Sequence, residues 1–252
     1  MVVPNEAAGL ALGFGVGVVL GLLGGGGSIL AVPIFLYVFG VAPKPAIAMS
    51  LAVVGMSAFV GFLGHLRQGT VNLRIGLPFG VLAMASAFAT ARVADRVPEG
   101  LQLGLFATFA FTAAVVMLFD SLRPARGPAP AGETHFTPML GLEALAVGAL
   151  TSLIGAGGGF VIVPALVYLA GVPVKAAVGS SLLIITLNAL SGFAGYIGQE
   201  PIDWGLVGSF TGVAAIGAVL GTRLNRHVSQ VRIKQGFALL ILVLGSYLVW
   251  RR

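Results

Sequence analysis

Apolar sequence is broken twice by a run of glycines, and the two breaks match. Leu23-Gly24-Gly25-Gly26-Gly27-Ser28-Ile29-Leu30-Ala31-Val32-Pro33 returns as Ile154-Gly155-Ala156-Gly157-Gly158-Gly159-Phe160-Val161-Ile162-Val163-Pro164, 131 positions later. In both places an apolar stretch stops at the glycines and resumes for only about a dozen residues. Paired breaks at corresponding points of two halves are the best sequence pointer to a binding site built from discontinuous membrane helices.

Composition decides that the setting is a membrane. The 252 residues are 58% hydrophobic and 9% charged, whereas a soluble domain carries about 25% charged residues. Without cysteine, the chain has no disulfide, no thiolate nucleophile and no Cys-ligated metal. The net charge of +6 resides in short loops between apolar runs, which points to membrane orientation rather than nucleic acid. No Lys or Arg precedes Lys44, so the N-terminus lacks the basic region of a secretory signal and is expected to stay as a membrane segment.

Apolar segments fall at about 7–23, 28–40, 46–64, 73–91 and 101–119, then at about 138–154, 159–171, 176–197, 203–221 and 233–250. A spanning helix needs about 20 residues. The third to fifth segments of each half meet that length, whereas the second segments read as half-helices starting within the membrane. Residues 121–137 are rich in Pro and Gly and read as a flexible linker. The expected organisation is a first transmembrane repeat over 1–120, the linker 121–137 and a second repeat over 138–252.

The repeat is wider than the motif. Laying 17–97 on 148–228 without a gap gives 24 identities in 81 pairs, among them Pro33/Pro164, Tyr37/Tyr168, Lys44/Lys175, Ser50/Ser181, Gln68/Gln199 and Arg92/Arg223. Biased composition does not readily give Pro, Tyr, Lys, Gln and Arg in register. If the first two segments of each half form a hairpin, the second half is inverted. One side then holds nine cations (Arg67, Arg74, Arg123, Arg126, Lys175, Arg223, Arg226, Arg232 and Lys234) against five on the other. The positive-inside rule makes the first side cytoplasmic and puts both termini outside. Treating the first two segments as one broken span gives eight against six. The inverted arrangement is the preferred one: an all-α integral membrane protein of two inverted-topology repeats, about five helical segments each, whose glycine-broken half-helices meet near the midplane.

A helix that opens at glycines leaves backbone N–H groups unpaired, adds the positive end of the helix dipole and lets an anion approach closely. The expected anion site is Gly24, Gly25, Gly26, Gly27 and Ser28 with Gly155, Gly157, Gly158 and Gly159. No basic residue lies in either run, which suits a ligand set made of backbone. Close helix packing by small residues is the competing reading. Ser50, Ser57, Ser180, Ser181, Thr186, Asn188 and Ser191 follow on the third segments; Ser50, Ser181 and Asn188 join the expected site as side-chain donors, against the blander role of helix–helix glue. Gln68 and Gln199 read as gates or interfacial anchors, and Lys44 and Lys175 as snorkelling cations. Glu143 is the one carboxylate inside an apolar segment. His65, His135 and His227 lack ligand spacing, so no metal or cofactor is expected. An enzyme is not expected either, for want of a nucleophile–base pair.

These motifs, with the Ala46–Ser50 and Ala177–Ser181 segments downstream, resemble the TauE/SafE family of sulfite and organosulfonate exporters across nearly the whole chain. The resemblance implies a transporter of small sulfur-containing anions in a bacterial or archaeal inner membrane. Alternating access about the paired half-helices is the expected mechanism, with an anion channel or a carrier of another small organic anion as alternatives. The expected partners are the anion (sulfite or a sulfonate) and membrane lipid. A coupling ion (H+ or Na+) and a homodimer stay open, and nucleic acid is not expected.

Overall fold

A computed structural model describes residues 6–122 and 136–225. Among them the secondary structure is helical throughout: α1 (Glu6–Leu23), α2 (Ser28–Pro33), α3 (Pro43–Arg67), α4 (Leu73–Val93), α5 (Glu99–Leu122), α6 (Pro138–Ile154), α7 (Gly159–Tyr168), α8 (Val174–Tyr196) and α9 (Trp204–Leu224). A π-helical turn, Ile34–Val38, extends α2, and a 3-10 turn, Ala94–Arg96, extends α4. The expected segment 233–250 and most of the expected linker lie outside the described residues.

Local sequence accounts for the helix starts. The side chains of Asn72 and Asp203, 131 positions apart, cap α4 and α9 by accepting from the N–H of Ile75 at 3.3 Å and Leu206 at 2.9 Å, which satisfies a donor the helix leaves orphaned. Pro43 and Pro138 open α3 and α6, where a missing N–H does no harm. Pro33 and Pro164 lie inside the short helices and cannot donate to the preceding turn. After Pro33 the ladder widens, and Phe39 N–H reaches Ile34 O at 3.2 Å. α7 keeps its α pitch past Pro164 to Tyr168.

Among the described residues four helices, α3, α4 with its 3-10 turn, α8 and α9, are long and apolar enough to cross a bilayer. Two of them form the centre: the most apolar windows of α3 and α8 are 78% and 72% buried, against 33% and 39% for α4 and α9. The outer helices show large apolar side chains such as Leu77, Val81, Trp204 and Ile216, as lipid-facing helices do. α3 and α8 cross antiparallel. Gly55 packs on Leu190, Gly61 on Leu182, and Gly192 on Leu51, so one helix rises where the other falls.

The flanks run the other way. Gly13, Gly17 and Gly21 of α1 pack on Phe210, Ala214 and Ala218 of α9, a common step of four that makes these helices parallel. A Cβ built on Gly17 would lie 1.9 Å from the Ala214 carbonyl oxygen, so the small residues let the backbones touch. Gly148 of α6 sits against Ala83 of α4 in the same way, and both members of that pair are the 131-offset counterparts of Gly17 and Ala214. Such correspondences recur. Gly40 and Gly171 have φ of 67° and 64°, and Val41 N–H to Phe35 O matches Val172 N–H to Leu166 O, both at 2.9 Å.

Candidate anion site at the paired helix breaks

α1 and α6 end in the same way. Gly24 and Gly155 adopt left-handed φ of 71° and 73°, which only glycine takes without strain. Their N–H groups close the last turns on Leu20 O and Thr151 O, both at 2.9 Å. A chain turned this sharply starts a new helix beside the end of the old one. Both breaks are wholly buried.

The two breaks touch. A Cβ built on Gly25 would lie 2.2 Å from the Gly159 Cα, and one built on Gly159 would lie 2.2 Å from the Gly25 Cα. Each break is then tied to the opposite half. Ser181 Oγ–H donates to Gly24 O at 2.5 Å, and Ser50 Oγ–H reaches Gly155 O at 2.8 Å. Both hydroxyls also lie near a carbonyl of their own helix, Val178 O and Ile47 O. The sequence reading takes these serines as donors to a ligand; their hydroxyls meet the carbonyls of the breaks. Ser28, also buried, donates to Gly25 O at 2.7 Å.

What the breaks offer is backbone N–H. Ser28, Leu30, Val161 and Ile162 donate back to Gly25, Gly27 or Gly158, but the N–H groups of Gly26, Gly27, Gly157 and Gly158 have no partner among the described residues. Buried amides are almost always paired, and here they cluster at two helix starts that meet.

α3 and α8 line this centre with matched stripes. Ser50, Val54, Ser57 and Gly61 on α3 correspond to Ser181, Ile185, Asn188 and Gly192 on α8. Val54 and Ile185 side chains close on Gly157, and Ile185 also meets Gly25 and Gly159. Asn188, 1% exposed, donates through Nδ2 to Thr151 Oγ1 at 2.6 Å. Thr151 is a candidate site residue that sequence reasoning missed. Its counterpart is Leu20, and that polar-for-apolar exchange on a matched helix is the signal that finds it.

Other polar candidates hold helices together. Ser180 Oγ accepts from Asn72 N–H at 2.8 Å, Ser191 donates to Met84 O at 2.9 Å, and Thr186 bonds back to Leu182 O. Gln199 donates to Gly195 O and reaches Ala91 O, tying the end of α8 to α4. Lys44 Nζ donates to Asp95 O at 2.7 Å. On the same side burial pushes the Glu200 carboxyl above its ordinary range; nearby Lys44 pulls it down, while Glu99 and Asp95 raise it further. Glu143 is half-buried on α6, with Oε2 unpartnered among the described residues. Around the ends of α3 and α9 lies a groove of about 350 Å³ lined by residues that include Gly64, Arg67, Gln68, Thr222 and Arg223. No group of three or more His, Cys, Asp or Glu side chains suited to a metal occurs among the described residues.

Long apolar helices around two buried breaks define a multi-pass, all-helical membrane protein, with no constellation of an enzyme active site among the described residues. The sequence matches the sulfite exporter TauE/SafE family over residues 9–248, and the chain belongs to that family of membrane transporters. A probable membrane transporter protein of Xylella fastidiosa (strain 9a5c) is 33% identical over 247 residues, covering 94% of this chain and 92% of that one. The probable membrane transporter proteins YdhB of Bacillus subtilis and MJ0441 of Methanocaldococcus jannaschii are each 25% identical, over 94% and 95% of this chain and 97% and 94% of theirs. No solved structure gives a significant match.

Proposed function

We infer that this transporter carries a small sulfur-containing anion, sulfite or a sulfonate, across the cell membrane by alternating access. The anion is held at the paired starts of α2 and α7. The observation that carries this reading is the contact of the two breaks at Gly25 and Gly159, with unpaired N–H groups on both sides of it. Two helix starts give an anion donors and positive partial charge without a buried cation, whose cost in a membrane is high.

The repeats are read as inverted about an axis in the membrane plane. Supporting this, the equivalent helices α3 and α8 run antiparallel, and the contacts of the breaks are reciprocal: Ser50 with Gly155, Ser181 with Gly24. Inverted repeats exchange conformations by rocking about the shared site. Two equivalent positions fit that scheme. A groove opens where Gly64 faces Thr222, whereas at the counterpart Gly195 packs on Ala91 and Gln199 bridges to it. The open side carries Arg67, Arg74, Lys175 and Arg223 and is read as cytoplasmic.

Sulfite and methanesulfonate flux in proteoliposomes is the test. The reading expects saturable flux that accumulates anion against its gradient when an ion gradient is imposed. Ohmic, non-saturating currents would instead identify an anion channel, and no flux of either anion under any gradient would end the sulfur-anion reading.

A further inference from the structure

Two buried oxygen atoms on the matched stripes have no partner among the described residues. They are Ser57 Oγ and Asn188 Oδ1, both on residues 1% exposed, and they occupy equivalent positions of α3 and α8. The crossing pair Gly55–Leu190 sets Ser57 and Asn188 at the same level of the bundle, one turn beyond Val54 and Ile185. An unpaired buried polar atom is costly, and each one calls for an explanation.

The hydrogen bonds around Asn188 fix which way its amide points. Thr151 Oγ1–H donates to Val147 O at 2.7 Å, so this oxygen has only lone pairs left for Asn188. The amide must present its NH2 group there, and the unpaired atom is therefore the carbonyl oxygen, an acceptor. A Cβ on Gly158 would lie 2.5 Å from Thr151 Cγ2, so the Asn188–Thr151 pair adjoins the second break. The second break thus has N–H donors beside one fixed acceptor, and Ser57 stands at the same level on α3 with a hydroxyl that turns either way.

An anion with no hydrogen to give meets Asn188 Oδ1 with repulsion. A metal cation needs about six oxygen ligands and faces the positive ends of helices. We propose that the site selects an oxyanion carrying its own O–H, with Ser57 and Asn188 receiving that group while the glycine N–H groups hold the charged oxygens. This rests on the transport reading above and deepens it. The proton then crosses on the substrate, held on the anion oxygen at Asn188 and lost to water on release. Transport is coupled to protons without an acidic relay in the core.

The titratable groups on the elements packed against this pair lie apart from it. On α3 they are Lys44, His65 and Arg67, and on α8 Lys175 and Tyr196. On α4, α6, α7 and α9 they are Arg74, Arg92, Glu143, Tyr168 and Arg223, on the π turn Tyr37, and on α1 and α5 Glu6, Glu99 and Asp120. Those on α3, α6 and α8 stand eight or more residues from Ser57, Thr151 or Asn188 on their own helix, and Tyr168 is nine from the start of α7. Among the described residues, none of these groups bonds to Ser57 or Asn188.

The test is equilibrium binding to the purified full chain, with sulfite and methanesulfonate as probes. Both are three-oxygen anions, but only sulfite carries a proton when singly charged. Wild type is expected to bind sulfite about tenfold or more tightly than methanesulfonate below the second ionisation of sulfite. The preference is expected to vanish as pH rises through that ionisation, with methanesulfonate binding flat. Asn188→Leu should bring the two affinities together, and Ser57→Ala, which leaves no partner unpaired, should narrow the gap. Equal affinities in wild type, or a preference that both variants retain, would overturn the inference while leaving the transport reading intact. Binding of neither probe would overturn both.

Discussion

The two helix breaks share a backbone and differ in what surrounds it. Gly24 and Gly155 turn at φ of 71° and 73°, and a serine from the opposite half grips each. One turn further on the likeness ends. The second break has Thr151 and Asn188 joined by a buried hydrogen bond, where the first has Leu20 and Ser57. The first half-helix loosens into a π turn after Pro33, whereas the second stays α past Pro164. A duplicated scaffold thus keeps its geometry through backbone and small residues, while polar side chains are free to diverge. On the proposed reading the common backbone holds the anion, and discrimination falls to the positions that differ, Ser57 and Asn188.

The largest expected effect tests what the halves share. Gly25→Ala and Gly159→Ala each drive a Cβ into the other break's backbone, which cannot yield as a side chain tip does. Each should cost about 3 kcal/mol or more, measured by unfolding in detergent, whereas Gly208→Ala, with nothing within 4 Å, should be near neutral. If Gly25→Ala is tolerated, the breaks do not meet as described.

The next test addresses the difference. Thr151→Val leaves the Asn188 amide without its partner and should cost about 1–3 kcal/mol. Ser57→Ala removes a hydroxyl that has no partner among the described residues and should stay within about 0.5 kcal/mol. Equal losses would mean that the two halves are polar in the same way. Ser50→Ala and Ser181→Ala then probe the symmetry itself. Each removes one cross-half hydrogen bond, about 1 kcal/mol, and the two losses should agree. A loss confined to one serine would show that only one break is held from across the interface.

The smallest effect concerns the loops. Glu200 holds its proton more tightly when folded than unfolded, because burial raises its carboxyl. The unfolded chain therefore loses that proton first, and stability falls as pH rises from the ordinary carboxylate range through the raised value. Glu200→Gln should flatten this part of the pH profile, and an unchanged profile would remove Glu200 as its source.

Much of the architecture was legible in the sequence because membrane helices declare themselves by length and by what interrupts them. The glycine runs marked both breaks, and the expected starts of α2 and α7, Ser28 and Gly159, are those observed. Asn72 and Asp203 cap as their residue types suggest. Other features depend on which helices neighbour each other. Ser50 and Ser181 read as ligands, yet their hydroxyls reach the breaks, because packing brings in carbonyls from 105 and 157 residues away. In the sequence Thr151 is a lone hydroxyl in an apolar helix, and only the packing of α6 against α8 brings Asn188 to it. The π turn after Pro33 was not legible, since Pro164 stands in the same pattern and leaves α7 regular.

The central claim is that a small anion sits against the paired breaks. Gly157→Ala tests it most directly, because φ there is not left-handed and the added Cβ would meet Val54 Cγ1 at 2.7 Å and Ile185 Cγ2 at 2.8 Å, side chain tips with some room to shift. Sulfite binding to the folded variant should fall at least about tenfold below wild type, with Gly208→Ala unchanged. Wild-type affinity in a correctly folded Gly157→Ala protein would place the anion elsewhere and contradict the account.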